Sequence, residues 1–238
     1  MQEKAKPSQP AWFVTGTDTG IGKTFIACAL LHALHARHGF RAAGMKPVAA
    51  GLDAAGKNDD VEQLMAASSI KAPSSLVNPY ALRAAVAPQI AAEAEGRNIE
   101  LAPIVAAFQA LRALADAVVV EGVGGFCVPL SAQCDTADLA VALDLPVILV
   151  VGIKLGCINH ALLSQQAILA RGLKLAGWVA NCIEPATLRP EENRRVLEQR
   201  IAAPLLGIIP YGATPQQAAQ ALKLPEIAVF LESIEPQQ

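Results

Sequence analysis

The stretch Trp12-Phe13-Val14-Thr15-Gly16-Thr17-Asp18-Thr19-Gly20-Ile21-Gly22-Lys23-Thr24 decides the fold. A short apolar run ends at Thr15, glycines and small residues follow, and an Ala/Leu/Ile-rich segment begins at Lys23. A strand, a loop and a helix in that order aim backbone N–H groups and the positive end of the helix dipole at an anion. Lys23 is then placed to neutralise β- and γ-phosphate charge, and the Thr24 hydroxyl to ligate Mg²⁺. The segment therefore predicts a Mg-ATP site with Gly20, Ile21, Gly22, Lys23, Thr24 and Phe25 against the nucleotide. The strict motif has glycine five residues before Gly22; Thr17 stands there, and Gly16 lies one residue earlier. The competing reading is an ordinary glycine-rich strand–helix turn, against which the Gly-Lys-Thr ending and the preceding strand both weigh.

Working outward, short β-branched runs alternate with longer Ala/Leu-rich stretches. Strands are expected at 12–15, 41–45, 117–121, 147–151, 175–180 and 205–209, and helices at 23–37, 136–143, 158–170 and 191–201. The strands are apolar on both faces, as a parallel sheet covered on both sides requires. The expected fold is a doubly wound, mainly parallel α/β sheet with helices on both faces, a phosphate-loop NTPase-like single domain. It spans 11–232, between a disordered tail at 1–10 and a frayed end at 233–238. The stretch 51–101 is less regular: a polar loop at 54–60, a short helix from Val61, a turn at Val77-Asn78-Pro79-Tyr80 and a helix near Pro88–Glu95. It reads as an insertion within the domain.

Of the 238 residues, 53% are hydrophobic and 17% charged, enough to bury a sizeable core. Only 4% are aromatic and the formal net charge is -2, which argues against a nucleic-acid partner. The five cysteines (Cys28, Cys127, Cys134, Cys157 and Cys182) are scattered and form no C-x-x-C pair. They read as free thiols in a reducing compartment, each behaving as a small buried hydrophobe. The opening MQEKAKPSQP lacks the apolar core of a signal peptide, and no apolar run reaches bilayer length. A cytoplasmic location without membrane association is the expectation.

Four further segments bear chemistry. Lys46, in Met45-Lys46-Pro47-Val48, closes the second strand, and ligands of open α/β sheets gather at such ends. It reads as a cation for a substrate or transferred phosphoryl group, or equally as a solvated lysine. In Asn58-Asp59-Asp60 the carboxylates offer oxygen to Mg²⁺, but Asp is a preferred cap for a helix starting at Val61, and residue type favours the cap. The run Val118-Val119-Val120-Glu121-Gly122-Val123-Gly124-Gly125 places a carboxylate at a buried strand end, as the second acidic motif of phosphate-loop ATPases does. Its glycines let backbone approach a ligand closely. The segment Gly152-Ile153-Lys154-Leu155-Gly156-Cys157-Ile158-Asn159-His160 opens a helix whose N-terminus suits a carboxylate, while His160 reads as a packed or surface histidine. Asn181-Cys182 and Pro210-Tyr211 end two later strands on the same rim, where an Asn amide suits a nucleobase and two plain β–α turns are the alternative.

The motifs VTGTDTGIGKT, GMKPVAAG, NDD, VNPY, VVVEGVGG, PVILVVGIKLGCINH, LAGWVAN and IIPY, in this order, resemble the dethiobiotin synthetases, ATP-dependent enzymes of biotin synthesis. The resemblance runs from about Trp12 to about Tyr211, and KLGCINH is its most specific part. It implies a homodimer that joins 7,8-diaminononanoate, CO₂ and ATP into dethiobiotin, ADP and phosphate. It implies Lys23 and Lys46 offsetting charge on phosphates and carbamate, and Thr19 near the carbamate. Mg²⁺ would be held by Thr24, Asp60 and Glu121. Gly122, Val123, Gly124, Asn181, Cys182, Pro210, Tyr211 and Gly212 would lie beside the nucleotide, with Asn181 reading adenine. The substrate would meet Thr19, Lys46, Ala50 and, across the dimer, Leu155, Gly156, Cys157, Ile158 and Asn159. Two departures from the family pattern stand out: Ala50 replaces a frequent serine, and Gly20 a frequent acidic residue. A switch ATPase of the partitioning or cell-division type is the main competitor; it commonly carries a second lysine near the loop start, where this chain has Gly16-Thr17-Asp18.

Overall fold

The structure, a computed structural model, describes residues 9–186 and 188–225. The expected frayed end and all but the last two residues of the expected tail lie outside them. Six strands form one sheet: β1 (Ala11–Gly16), β2 (Ala42–Met45), β5 (Ala117–Glu121), β6 (Val147–Gly152), β7 (Leu175–Asn181) and β8 (Leu205–Ile209). Their order is β2-β5-β1-β6-β7-β8 and every pairing is parallel. The strand carrying the loop is thus central, and the order reverses beside it, where open α/β sheets bind ligands.

Alternate residues of β1 feed two cores. Trp12 and Val14 pack with α1 (Lys23–His38), α2 (Asp59–Ala67) and α9 (Pro215–Ala221). Phe13 joins the opposite layer, with α5 (Leu101–Leu114), α6 (Thr136–Leu143), α7 (Cys157–Ala170) and α8 (Pro190–Arg200). Both faces of the sheet are dry, which is why its strands read as continuous apolar runs. Among the described residues no helix is long and apolar enough to cross a membrane.

The edge strand β2 is shielded by hydroxyls. Ser69 Oγ accepts from the Ala42 N–H at 2.8 Å and Ser68 Oγ from the Gly44 N–H at 2.9 Å, so the loop after α2 satisfies donors that would otherwise invite another strand. At the far end of the chain the Arg37 guanidinium of α1 donates to the carbonyls of Ala219, Gln220 and Leu222 that close α9.

The insertion is more ordered than its sequence suggests. Beyond α2 it holds α3 (Ser74–Val77), α4 (Pro88–Ala94) and β4 (Tyr80–Leu82), which pairs in parallel with β3 (Val48–Ala50) just before the insertion. Helix α5 was also not anticipated; its Pro103 lies in the first turn, where the missing N–H has no intrahelical partner to lose. Helix α2 starts at Asp59, and its cap is Asn58, whose side chain accepts from the Val61 N–H. That corrects the expectation that an Asp caps a helix from Val61, and it leaves Asp60 free to point elsewhere.

Candidate functional site

A cavity of about 760 Å³ opens at the carboxyl ends of β1, β2 and β5. Thr19, Gly20, Gly22, Lys23, Thr24 and Phe25 line one side, Lys46, Ala50 and Asp60 another, and Glu121, Val123 and Gly124 the floor. Pairing sets this convergence. Val14 on β1 stands opposite Glu121, and Met45 opposite Val120, so Lys46 leaves β2 level with Glu121.

The loop's unusual glycine spacing has a steric reason. A Cβ on Gly16 would lie 2.6 Å from Ile21 Cδ1 and 3.0 Å from Lys23 Cγ, so this glycine makes room for the loop's own side chains to fold back over β1. Gly20 and Gly22 have φ of 73° and 86°, the left-handed region that side chains other than glycine's rarely adopt. Gly22 also begins α1 as its N-cap. Asp18 organises the loop: its carboxylate accepts from the Thr19 N–H at 2.8 Å and from Lys154 at 3.0 Å, and its carbonyl accepts from Lys23 Nζ at 2.8 Å. The Lys154 hydrogen bond, aided by the Thr19 N–H, holds the Asp18 carboxyl below the usual range.

Four charges meet at the floor. Lys46 Nζ donates to Asp60 Oδ2 at 2.8 Å and to Glu121 Oε1 at 2.5 Å, and the Thr24 hydroxyl donates to the same Glu121 oxygen at 2.8 Å. Lys46 and Glu121 are 3% and 1% exposed, which rules out a solvated lysine. Burial pushes the Glu121 carboxyl up, against the pull of Lys46. Burial also pushes the Lys46 ammonium down, but Glu121 and Asp60 outweigh it and hold the ammonium charged. For Asp60 burial acts upward and the neighbouring Lys46 wins, lowering it. Lys23 is brought to about 8, by burial first and by Lys46 second. The backbone of Lys46 is fixed as well: its N–H donates to Val77 O and its carbonyl accepts from Asn78 Nδ2 at 2.6 Å. The Val77-Asn78-Pro79-Tyr80 turn therefore anchors the lysine, a role with no signature in spacing.

Thr24, Asp60 and Glu121 present hard oxygen donors, the type Mg²⁺ selects. Glu121 Oε2 is buried without a hydrogen-bond partner, so the donor set has an unsatisfied oxygen for a cation. Among the described residues no cluster of three or more His, Cys, Asp and Glu side chains is available for a metal. A metal here would draw its remaining ligands from phosphate and water, as Mg²⁺ commonly does.

Other expected residues lie apart. Gly122 packs against Phe13, 3.0 Å from where its Cβ would be. Asn181 Nδ2 donates to Ile21 O at 2.8 Å, so its amide holds the loop. Cys182, Pro210, Tyr211 and Gly212 follow β7 and β8 outside the cavity lining, joined by the Cys182 N–H donating to Ile209 O. Leu155, Gly156 and Asn159 are exposed and also outside it, and Cys157 is buried, leaving only its backbone for a ligand. His160 is exposed on α7. The cysteines do not behave alike: Cys28 and Cys157 are buried, whereas Cys127 is exposed and Cys134 and Cys182 are half-buried, being on loops rather than in core elements. Burial pushes the Cys28 thiol up to about 12. Lining residues absent from the sequence-based expectation are Ala49, Gln63, Gly125, Val128 and the run Ala85-Val86-Ala87-Pro88.

Comparison with known proteins settles the family. A family model described as an AAA domain matches residues 11–218. ATP-dependent dethiobiotin synthetase BioD of Aromatoleum aromaticum is 60% identical over 220 residues, covering 90% of this chain and 97% of the relative. The chain belongs to the ATP-dependent dethiobiotin synthetases. The BioD of Xylella fastidiosa is 53% identical over 90% of this chain and 97% of its own. Among solved structures, a ParA family ATPase from Chlorobium tepidum has a TM-score of 0.53 at 13% identity, covering 90% of each chain. The septum site-determining protein MinD from Pyrococcus horikoshii has a TM-score of 0.52 at 16% identity, covering 89% of this chain and 92% of that one. These two likenesses are of fold alone. The dethiobiotin synthetase relatives match nearly end to end, and the switch-ATPase reading falls away.

Proposed function

We propose that the chain closes the ureido ring of dethiobiotin from 7,8-diaminononanoate, CO₂ and ATP, releasing ADP and phosphate. The observation that carries this reading is the end-to-end likeness to relatives of that name, matched by a cavity in which two lysines and a hard-oxygen donor set face one phosphate loop.

In this reading one amine of the substrate adds to CO₂ and loses a proton, giving a carbamate. A carbamate oxygen attacks the γ-phosphorus as the bond to ADP breaks. The second amine then attacks the carbonyl carbon and phosphate leaves, closing the ring. Such chemistry asks for positioning and charge stabilisation more than for a nucleophilic side chain. The loop N–H groups of Gly20 to Thr24 would cradle the phosphates, and Lys23 would turn from the Asp18 carbonyl to them. Lys46 would meet the carbamate and the transferred phosphoryl group, with Thr19 beside them. Thr24, Asp60 and Glu121 would hold Mg²⁺, which when bound draws charge from the β- and γ-phosphate oxygens. Lys23 and Lys46 are offset by Asp60 and Glu121, so the floor's own charges nearly cancel and a polyanionic triphosphate gains by arriving with a divalent cation. Asn181, with Pro210 to Gly212, would flank adenine.

The Leu155 to Asn159 segment fits a site completed by a second copy of the chain. Leu155, two residues before α7, is 99% exposed and does not line the cavity of its own subunit. A homodimer would bring this helix N-terminus to the substrate carboxylate of the partner. Free cysteines without disulfides support a cytoplasmic enzyme.

The test is phosphate release by purified protein with MgATP and bicarbonate, with and without the diamine, alongside mass detection of dethiobiotin. Diamine-dependent release matched by dethiobiotin is expected. Release indifferent to the diamine overturns the reading.

A further inference from the structure

Lys46 makes its two ion pairs with carboxylates that belong to the proposed metal site. Its ammonium bridges Asp60 Oδ2 at 2.8 Å and Glu121 Oε1 at 2.5 Å, and it is almost wholly enclosed. Glu121 Oε1 also accepts from Thr24, so all three proposed metal donors are tied into one cluster around the lysine. A divalent ion on Asp60 and Glu121 and an ammonium bonded to both cannot coexist at these distances without strong like-charge repulsion in a buried setting. With two of its three N–H donors on these carboxylates, the ammonium has one left for a reacting anion, and its charge is already balanced by the pair. The lysine backbone is pinned by Val77 and Asn78, so only the side chain is free to swing.

We propose that Lys46 has a second function: in the nucleotide-free protein its ammonium is the resident cation of the metal site, and arriving Mg²⁺ displaces it, freeing Lys46 for the anionic reactants. The metal then does two things at once, occupying its ligands and arming the lysine. A lysine in this place also keeps two buried carboxylates together when no metal is present, where an uncompensated charge would be costly. The inference rests on the assignment of Thr24, Asp60 and Glu121 to Mg²⁺.

The experiment titrates nucleotide-free protein with Mn²⁺ alone, read by the loss of the free-ion electron paramagnetic resonance signal. Removing the competing ammonium in Lys46→Met tightens Mn²⁺ binding at least about tenfold over wild type, and Glu121→Gln weakens it. Equal or weaker binding in Lys46→Met, with the Glu121→Gln loss retained, overturns the exchange but leaves the metal site standing. Binding indifferent to Glu121→Gln, or none in either protein, overturns both. Should Lys46→Met not fold, wild type alone decides through amine acylation mapped by mass spectrometry. Lys46 is labelled severalfold faster when Mg²⁺ is added while exposed Lys57 is unchanged; continued protection of Lys46 overturns the exchange.

Discussion

Asn181 on β7 clamps the phosphate loop against Gly22: its Nδ2 donates to Ile21 O at 2.8 Å, and a Cβ on Gly22 would stand 2.3 Å from that nitrogen. Five strands, β2 to β6, separate the loop's origin from its clamp in sequence, yet β6 alone lies between β1 and β7 in the sheet. Gly22→Ala would impose a left-handed alanine, about 1–2 kcal/mol, and push the amide aside. We expect MgATP affinity to fall at least about tenfold, with the far-ultraviolet circular dichroism spectrum unchanged. Calorimetric titration reads the affinity, and a wild-type value would falsify the steric role of Asn181.

The second prediction concerns acid stability at a site remote from the cavity. Asp138 accepts from the Asp135 N–H in the capping box that starts α6, and Arg171 bonds both carboxylates. The Asp135 N–H first, and Arg171 after it, lower the Asp138 carboxyl below its ordinary value. A depressed carboxylate contributes stability above its unfolded value, near 4, and loses it as pH falls through the folded one. Asp138→Ala is expected to cost about 0.5–2 kcal/mol at pH 7. The gap from wild type should shrink steadily below about pH 4. Urea unfolding at several pH values checks this, and a gap constant down to pH 2 would contradict it.

The hydroxyl shield of β2 makes a local claim. Ser69→Ala leaves the buried Ala42 N–H without its acceptor, a loss of about 1–3 kcal/mol for an unmet donor. Hydrogen exchange at Ala42 is expected to speed up, with Val119 and Ile148 in the sheet centre slowed or hastened only as global stability changes. Unaltered Ala42 protection in a folded variant would remove the shielding argument.

Ala50 lines the cavity. Ala50→Ser adds a hydroxyl to the wall near the proposed diamine position without touching the phosphate loop. We expect the diamine KM to drop severalfold and the KM for ATP to hold. Steady-state kinetics with each substrate varied separates the two, and an effect confined to ATP would move Ala50 out of the substrate's reach.

Much of this was readable in advance because it depends on local pattern. The central strands announce themselves since both faces are buried, and β5, α6 and β8 occur where their apolar runs begin and end. Lys23 and Thr24 follow from a contiguous motif. Lys46, Asp60 and Glu121 were visible only as candidates, because what unites them is the register of β2 on β5 and the direction of one helix turn, properties of pairing rather than of sequence neighbours. The Asp60 reading turned on a single cap: Asn58 accepts from Val61, and Asp60, two residues on, faces the lysine. Strands β3 and β4 were missed because each has three residues, too few for a period to show. The wall at Ala85 to Pro88 consists of small apolar residues that carry no chemical signature at all.

Arg37 gives the chain an unusual order of completion during synthesis. The nucleotide loop is translated well before the carbonyls at 219, 220 and 222 to which Arg37 fastens the helix it begins. Its strand, β1, also lies between partners that emerge more than a hundred residues later. Contacts of such long sequence separation form slowly. The loop is therefore translated well before the contacts that complete it, and a nascent chain halted before α9 would present its phosphate-binding residues on an unsupported helix.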